Sequence, residues 1–414
     1  MIKLFEHQEK GKQLLLENNR FCLFFEVGAG KTYTALSALC ELPPGRVLIV
    51  APKKVLQNVW IPENHYDLSK HEVTYINYEK VARDPNFTKQ RYDYIILDEV
   101  HRLKGKTTKT SRKFKVVTAY AKYVWGLTGT PQANNYADVY NIYKHMNILE
   151  FNMSYDEFVQ KYYYIKQMIG NYGYAFYILL NPKKESLGEL MERIGEHCMV
   201  KKLKDCIDLP EKRIETYYVD GMNTKDYRRL KHGVFSFPDL FNGEERTMIP
   251  LESINKAHQA ANGFVYVDSN RTAKQLGENF KFLELKSYLE DMLEETERVI
   301  IVYYFQYDLE LLKTLEYAWT TDPKEFPYAQ ILFMQYNQGE GLNLQYCNHM
   351  IFYSYDYSFL SFEQMCGRIY RPGQKNTVIY TIFIAKNTIE ETIWKAISEK
   401  KSRDEYLKEA LRDE

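Results

Sequence analysis

The feature that most constrains the fold is Gly28-Ala29-Gly30-Lys31-Thr32, which lies between an apolar run at 21–25 and a helical stretch at 32–40. Glycines let backbone N–H groups point at bound phosphates, Lys31 offers them a cation, and the Thr32 hydroxyl can ligate magnesium. The segment therefore predicts a phosphate loop between a strand and a helix. All five residues are candidate nucleotide-binding positions, although Phe25 stands where the full eight-residue pattern has glycine.

Apolar runs of strand length recur in an early cluster and a late cluster. They cover 46–51, 93–98 and 123–127, and then 298–303, 330–334, 349–353 and 377–383. Stretches with helical spacing, such as 107–120, separate them. This alternation is typical of parallel sheets that helices cover on both faces, and it predicts two α/β lobes.

The middle of the chain, about 135–270, is rich in Tyr, Lys and Glu and predicts mostly helix. Residues 135–147 carry their apolar side chains on one face, and Ser154 to Glu157 form a capping-box pattern. We expect lobe 1 at 1–220 with a helical insertion at about 145–205. A helical linker at 221–270 and lobe 2 at 271–414 should follow.

Two acidic residues end one of the early strands. Asp98 and Glu99 follow the apolar run 94–97, one crossover unit after the glycine-rich loop. Asp98 can hold magnesium through water, and Glu99 can polarise an attacking water as a general base. We therefore predict catalytic roles for Lys31, Thr32, Asp98 and Glu99.

The late half contributes two arginines. Gln364, Arg368 and Arg371 have spacings of four and three residues, which would place them on one face of a helix running through Gly367. Guanidinium groups neutralise charge on a transferring phosphoryl group, so both arginines are catalytic candidates. A solvated amphipathic helix is the alternative.

Residues 127–131, Leu-Thr-Gly-Thr-Pro, indicate either a γ-phosphate sensor or an ordinary turn.

The charge and the apolar content define the class of protein. The net charge is zero, but residues 102–115 hold seven basic side chains and no acidic one, which indicates either a phosphate-binding patch or a solvated face. No uncharged run approaches a membrane span, and the six cysteines lack the spacing of a zinc or disulfide framework. We expect a cytoplasmic location, on the nucleoid or in a host's cytoplasm if the chain comes from a mobile element.

The order of these blocks resembles helicase superfamily two, and more narrowly the SWI/SNF-type ATPases. Residues 4–8, 26–32, 47–52 with Trp60, and 98–101 are similar to the family's motifs from the adenine-reading glutamine to the Asp-Glu-x-His block. The segments 128–140, 339–344, 368–374 and 387–391 resemble later motifs of the family. Lys201 to Asp205 and Leu209 to Lys212 look like a signature that generic helicases lack, with Lys201 and Lys202 in place of arginines.

The resemblance implies two RecA-like P-loop lobes, with ATP and Mg²⁺ bound by the first and Arg368 and Arg371 supplied by the second. It adds Gln8, Gly341 and Gln364 to the nucleotide contacts, and Thr32 and Asp98 as metal ligands. It implies that double-stranded DNA is held mainly through phosphates by a monomeric motor. The expected nucleic-acid contacts are Lys53, Lys54, Lys104, Lys106, Thr130, Gln306 and Asn343.

Three functions remain open at this point. The first is ATP-driven translocation along duplex DNA, and the second is a strand-separating helicase of the same superfamily. The third, from another class, is a nucleic-acid-binding module that ATP only switches. Lys31, Glu99, Arg368 and Arg371 occur together, which argues against a scaffold that has lost turnover.

Overall fold

The computed structural model describes residues 3–62, 65–105, 108–129, 136–169, 175–235, 246–248, 250–293, 298–336 and 341–399. The chain divides into two compact units, Met1–Asp208 and Leu209–Glu414. Each unit is built on a parallel sheet, so the predicted α/β class is confirmed.

Within the described ranges of unit 1, the parallel sheet has six strands in the order β3-β2-β4-β5-β1-β8. The strands of this unit are β1 (Arg20–Phe25), β2 (Arg46–Val50), β3 (Glu72–Ile76), β4 (Tyr94–Asp98), β5 (Tyr123–Leu127), β6 (Tyr163–Ile169), β7 (Ala175–Pro182) and β8 (Cys198–Lys201). Strand β4 is buried along its whole length, as expected for a strand with helices on both faces.

The helices of unit 1 include the predicted ones. They are α1 (Glu6–Glu17), α2 (Lys31–Glu41), α3 (Lys53–Val55), α4 (Tyr78–Arg83), α5 (Lys109–Thr118), α6 (Tyr136–Met146), α7 (Tyr155–Tyr162) and α8 (Lys184–Gly195). A π-helical turn, Leu56–Trp60, continues α3. The capping box of α7 is confirmed, because Ser154 and Glu157 each accept from the other's backbone N–H.

Unit 2 repeats the architecture, with a parallel sheet of six described strands in the order β15-β16-β14-β17-β18-β9. Its strands are β9 (Lys212–Val219), β10 (Val234–Phe235), β11 (Arg246–Thr247), β12 (Phe264–Tyr266), β13 (Ala273–Gln275), β14 (Val299–Tyr303), β15 (Trp319–Thr320), β16 (Ile331–Gln335), β17 (His349–Phe352) and β18 (Val378–Ala385). Its helices are α9 (Lys225–Lys231), α10 (Pro250–Ala261), α11 (Phe280–Met292), α12 (Gln306–Leu312), α13 (Phe359–Cys366) and α14 (Ile389–Ser398).

The second unit begins at Leu209, whereas the expected lobe 1 extended to residue 220. Strand β9 pairs along its length with β18, so residues 212–219 form an edge of the second sheet. The described residues of the expected linker, 221–270, pack into the core of unit 2 through Met222, Tyr227, Leu230 and the apolar face of α10.

The middle of the chain also holds more strand than predicted. The expected helical insertion at 145–205 contains α7 and α8, but β6 and β7 form an antiparallel hairpin between them. Strand β8 then joins the first sheet beside β1. Tyr-rich and Lys-rich segments do not show a clear apolar period, which is why these strands were not visible in the sequence.

Candidate functional site

The glycine-rich loop joins β1 to α2 as predicted. Gly28 and Gly30 have φ of 89° and 82°, the left-handed region that glycine enters without strain. A Cβ atom at Gly30 would also collide with the side-chain amide of Gln8. The Lys31 ammonium donates to the carbonyl oxygens of Phe25, at 2.7 Å, and Glu26, at 3.3 Å. Backbone carbonyl groups therefore hold the ammonium group beside the loop that a phosphate would approach.

Two side chains of helix α1 contact this loop. Gln8 Nε2 donates to the Ala29 carbonyl at 3.2 Å, while its Oε1 accepts from the Phe5 backbone N–H at 2.9 Å. His7 Nε2 lies 2.9 Å from the same Ala29 carbonyl. The structure therefore brings Gln8, which was chosen from the resemblance alone, against the phosphate loop.

Glu26 is a site residue that sequence reasoning missed. Its carboxylate accepts from the Leu203 backbone N–H at 2.6 Å, and its own N–H donates to the Lys201 carbonyl at 2.9 Å. Lys201 ends β8 and is the register partner of Phe25, so the doublet Lys201-Lys202 lies directly beside the phosphate loop. An acid two residues before the first glycine was a visible signal, but its partner lies 177 residues away in the chain.

Asp98 ends β4 and is 5% exposed. Trp60 Nε1 donates to its Oδ2 at 2.8 Å, the Glu99 backbone N–H donates to its Oδ1 at 3.0 Å, and the Tyr78 hydroxyl donates to its carbonyl at 2.6 Å. Burial, followed by the charge of Glu99, raises the pKa of Asp98 to about 6, and the Trp60 hydrogen bond and Lys31 oppose that rise. Asp98 is therefore a buried carboxylate that ionises near neutral pH, within the electrostatic influence of Lys31.

Glu99 adopts the left-handed conformation, with φ 52° and ψ 48°. For a residue with a Cβ this costs on the order of 1–3 kcal/mol, and such strain collects at functional sites. Its Oε2 lies 3.2 Å from His101 Nδ1 and accepts from the Thr128 hydroxyl at 3.4 Å. His101 Nδ1 is also 2.9 Å from the Thr128 hydroxyl oxygen. The strain is thus offset by a three-member network that aims the Glu99 carboxylate.

This network connects the acidic pair to the segment at 127–131. Thr128 N–H donates to the Leu23 carbonyl in β1, and a Cβ at Gly129 would lie 3.2 Å from a methyl group of Val27. The carboxyl ends of β1, β4 and β5, which are neighbours in the sheet, therefore carry the phosphate loop, the acids and Thr128 at one edge. Thr130, the predicted nucleic-acid contact, lies outside the described residues.

The residues at this edge fit a nucleotide-bound Mg²⁺. Carboxylate and hydroxyl oxygens are the ligands that magnesium takes from proteins, and Asp98 and Thr32 supply one of each. Each Asp98 oxygen accepts one described protein hydrogen bond, which leaves lone pairs available on both. Thr32 is the second residue of α2, in the first turn after the loop.

The predicted basic contacts of unit 1 are found in two settings. Lys53 and Lys54 begin α3, right after the carboxyl end of β2, and both are exposed. Lys104 Nζ lies 3.8 Å from the buried carboxylate of Asp138, whose pKa burial raises. Lys106 lies outside the described residues.

Other cations of the 102–115 run serve the fold. Arg102 pairs with Glu79 at 3.0 Å. Lys113 donates to the carbonyls of Val81, Ala82 and Asp84, which end α4. A cation at the carboxyl end of a helix is stabilising, so part of this run is structural.

In unit 2 the predicted arginines follow α13. The prediction that one helix carries Gln364, Arg368 and Arg371 through Gly367 is wrong beyond Cys366, because α13 ends there and Gly367 caps it. Glycine costs about 1 kcal/mol inside a helix, which favours this end. Arg368 Nε still donates to the Gln364 carbonyl at 2.9 Å, and Arg368 is 7% exposed.

Arg371 is held by the segment that follows Gly341. Its Nη1 donates to the Leu342 carbonyl at 2.7 Å and to the side-chain oxygen of Asn343. Gly341, another predicted nucleotide contact, has φ of 77°. Unit 2 thus brings Gly341, Asn343 and Arg371 together, while Gln306 is an exposed residue at the start of α12.

A separate acidic cluster contains Glu150, Glu196 and His197, whose ligand atoms lie within 4.8 Å of one another. Arg193 Nε already bonds the Glu150 carboxylate at 2.7 Å, and His197 Nε2 lies 3.3 Å from it. These contacts lower the pKa of Glu150.

No helix in the described part of the chain has both the length and the apolar character needed to cross a membrane.

Comparison with known proteins agrees with the motifs. Residues 64–262 match the SNF2-related domain family. The chain is 24% identical to the uncharacterized ATP-dependent helicase YqhH of Bacillus subtilis, covering 95% of this chain and 77% of YqhH. It is 21% identical to the ISWI chromatin-remodeling complex ATPase ISW1 of Saccharomyces cerevisiae, covering 92% of this chain but only 38% of ISW1.

Among solved structures, the chain is similar to the SWI2/SNF2 ATPase core of Sulfolobus solfataricus in complex with double-stranded DNA. The identity is 22%, the coverage is 98% of this chain and 92% of that one, and the TM-score is 0.43. The family match and the sequence relatives confirm the resemblance that the motifs indicated. The chain is thus similar to the SWI/SNF-type ATPases, through the SNF2-related domain match at 64–262 and through these relatives.

Proposed function

We propose that this protein is a nucleic-acid-stimulated ATPase that couples ATP hydrolysis to translocation along duplex DNA. The observation that carries the proposal is the Glu99 carboxylate, strained at φ 52° and bonded to Thr128, at the sheet edge that also bears the phosphate loop. A nucleotide held by this loop would place its terminal phosphate within the influence of a fixed carboxylate. A residue with only a structural role after a strand would not require such backbone strain.

Each residue of unit 1 has a distinct role in this proposal. The N–H groups of residues 28–32 bind the phosphates, and Lys31 moves its ammonium from the Phe25 and Glu26 carbonyls to them. Glu99 orients and deprotonates the attacking water. Thr32 and Asp98 would hold Mg²⁺, which supplies Lewis-acid neutralisation of the phosphate oxygens.

Arg368 and Arg371 of unit 2 would neutralise the charge that develops on the transferring phosphoryl group. Support comes from the family resemblance and from the Arg371 guanidinium, which donates hydrogen bonds to the Leu342 carbonyl and the Asn343 side chain. Arginine contacts of this kind are worth about 10³–10⁵ in rate in other ATPases and GTPases. Gln8, Gly341 and Gln364 complete the proposed nucleotide contacts.

Duplex DNA is proposed as the track because several relatives are named as chromatin-remodeling ATPases. Lys53 and Lys54 offer exposed cations beside the nucleotide edge of unit 1. Lys104, Lys106, Thr130, Gln306 and Asn343 are the further proposed contacts. Because such contacts address phosphates, binding should be salt-dependent and largely indifferent to base sequence.

The test is ATP turnover measured without nucleic acid and then with duplex DNA, single-stranded DNA and RNA. Stimulation by duplex DNA, together with release of the third strand of a triplex without unwinding, is the expected result. Release of a strand from a forked duplex would support the strand-separating helicase instead. Turnover that no polynucleotide changes would support the ATP-switched binding module and contradict the proposal.

A further inference from the structure

Unit 2 contains a groove of about 860 Å³, and among its lining residues only Gln306 has a role in the proposed function. Helix α10 forms one wall, the β12–β13 hairpin forms another, and the segments after β14 and β16 form the floor. Ligands of open parallel sheets bind beyond the carboxyl ends of the strands, where this groove lies. Its volume falls within the usual range of small-molecule pockets.

One polar atom in the groove wall lacks a partner. His258 lines the groove and is 5% exposed, and its Nε2 is buried without a hydrogen-bond partner among the described residues. Burial, with a contribution from the charge of Lys281, lowers the pKa of His258 to about 3, so the imidazole is neutral. An unsatisfied buried polar group destabilises the folded state, and a bound hydrogen-bonding ligand would remove that destabilisation.

Aromatic rings surround this histidine. The Tyr304 ring stacks on His258, with centroids 5.9 Å apart and an interplanar angle of 17°. Tyr266, Tyr304 and Tyr307 line the groove as half-buried side chains, so each still offers ring surface. A planar ligand would find stacking partners here.

The charges of the groove argue against a phosphate ligand. Among its described lining residues, Arg271 is the one cation and Glu310 the one acid. The other polar side chains are mainly amides, namely Asn255, Gln259, Asn270, Gln306 and Gln335. Phosphate sites gain their affinity from cations, whereas amides pair with the donor and acceptor edges of bases.

We propose that this groove binds an unpaired nucleobase of the polynucleotide, stacked on a tyrosine ring and hydrogen-bonded to His258 Nε2. A base carries both donors and acceptors, so it can satisfy the neutral imidazole in either tautomer. Proteins that hold unpaired bases combine aromatic faces with edge-reading polar groups in this way. The inference rests on the proposed nucleic-acid-dependent ATPase, and it adds a contact that reads bases rather than phosphates.

The test uses two duplexes of equal length and charge. One is fully paired, and the other carries a single 2-aminopurine opposite an abasic site. We expect the full-length protein to bind the second duplex about tenfold more tightly, with a change in 2-aminopurine emission. The preference should persist as salt is raised, although both affinities fall. Equal affinities and unchanged emission would overturn the proposal.

His258→Phe provides the sharpest variant, because it keeps an aromatic ring and removes the unpartnered nitrogen. The melting temperature should stay the same or rise, while the preference for the unpaired base should fall about fivefold. An unchanged preference would exclude His258 Nε2 as a ligand contact. A second pair of variants separates ring stacking from side-chain volume. Tyr304→Leu should weaken the preference for the unpaired base, and Tyr304→Phe should retain it.

Two further experiments identify the bound ligand and distinguish failure of the groove proposal from failure of the proposed function. Competition by free adenosine at millimolar concentration, without competition by inorganic phosphate, would support a base site. ATPase stimulation by the fully paired duplex should be unchanged in His258→Phe. If wild-type protein shows no stimulation by any polynucleotide, the proposed function fails. If stimulation is intact but the unpaired base is not preferred, only the groove assignment fails.

Discussion

His101 Nδ1 lies 3.2 Å from a carboxylate oxygen of Glu99, and both groups contact the Thr128 hydroxyl oxygen. The proposed general base is therefore fixed by two neighbours on the segments after β4 and β5. Glu99→Gln keeps the length and hydrogen-bonding capacity of the side chain but removes its basicity. Turnover should fall by about 10²–10⁴, while nucleotide affinity should change little.

Glu79→Gln is the matched control for this variant. Glu79 is an exposed acid in α4 that pairs with Arg102 at 3.0 Å, and it makes no described contact with the nucleotide edge. Its ATP turnover should equal that of the parent protein. Retained turnover in Glu99→Gln, measured by steady-state phosphate release, would remove Glu99 from the catalytic role.

Lys31→Ala should weaken nucleotide binding without unfolding the protein. The ammonium donates to two backbone carbonyls at the start of the loop, and water can replace those hydrogen bonds. Loss of its charge-assisted bonds to phosphate should weaken ATP binding at least about tenfold. Lys183→Ala removes a similar bond, to the Gln160 carbonyl at 2.7 Å, and should bind ATP normally. Titration with a fluorescent ATP analogue would decide between these outcomes.

Asp98 makes stability depend on pH in a defined direction. Its folded pKa of about 6 lies above the ordinary value of 3.8, so the folded state holds the proton more tightly. This contribution favours folding below about pH 4 and is lost as pH rises to about 6, which lowers the free energy of unfolding by about 3 kcal/mol. Asp98→Asn should flatten that fall in urea denaturation at pH 4 and pH 7.

The control for Asp98→Asn is Asp67→Asn. Hydrogen bonds from Ser69 lower the pKa of Asp67, so its ionisation acts in the opposite direction and its loss should not flatten the fall. Asp308 also has a raised pKa, about 7, and keeps part of the pH dependence in both variants. A slope in Asp98→Asn identical to that of the parent would contradict the assignment.

Arg371→Ala should reduce turnover far more than nucleotide affinity. Its guanidinium is held by the Leu342 carbonyl and the Asn343 side chain, ready to act on charge that appears only during phosphoryl transfer. We expect a loss in kcat of about 10³ and a change in ATP affinity below about tenfold. Arg213→Ala, which removes an exposed arginine paired with Glu211, should hydrolyse ATP at the parental rate. A parental rate for Arg371→Ala would refute the proposed role.

The sequence predicted the parts of the fold that have a clear apolar period. Strand β5 was predicted with its observed ends, and α5 and α6 within two residues at each end. Strands β8 and β9 were missed because their contacts are set by distant partners: β8 joins β1 and β9 joins β18. The helix through Gly367 was predicted from spacing alone, whereas the glycine ends it.

The site was predictable where residue type carries the chemistry. The proposed roles of Lys31, Asp98 and Glu99 follow from a cation after a glycine-rich loop and two acids at a strand end. The partners that position them were not predictable. Trp60 reaches Asp98 across 38 residues, and Glu26 reaches Leu203 across 177. Such pairings depend on which strands become neighbours, and no local pattern in the sequence records that.

Replacing Lys53 and Lys54 together with glutamine should weaken DNA binding without changing basal ATP turnover. Both cations are exposed just after the carboxyl end of β2, on the edge that carries the proposed nucleotide site. If each neutralises one phosphate, the slope of log affinity against log salt should become shallower by about 2. Lys70→Gln with Lys122→Gln removes two cations just before β3 and β5, at the amino-terminal edge of the same sheet. That pair should leave the slope unchanged, because the edge faces away from the proposed track. Equal slopes for both double variants and the parent would show that the proposed phosphate contacts lie elsewhere.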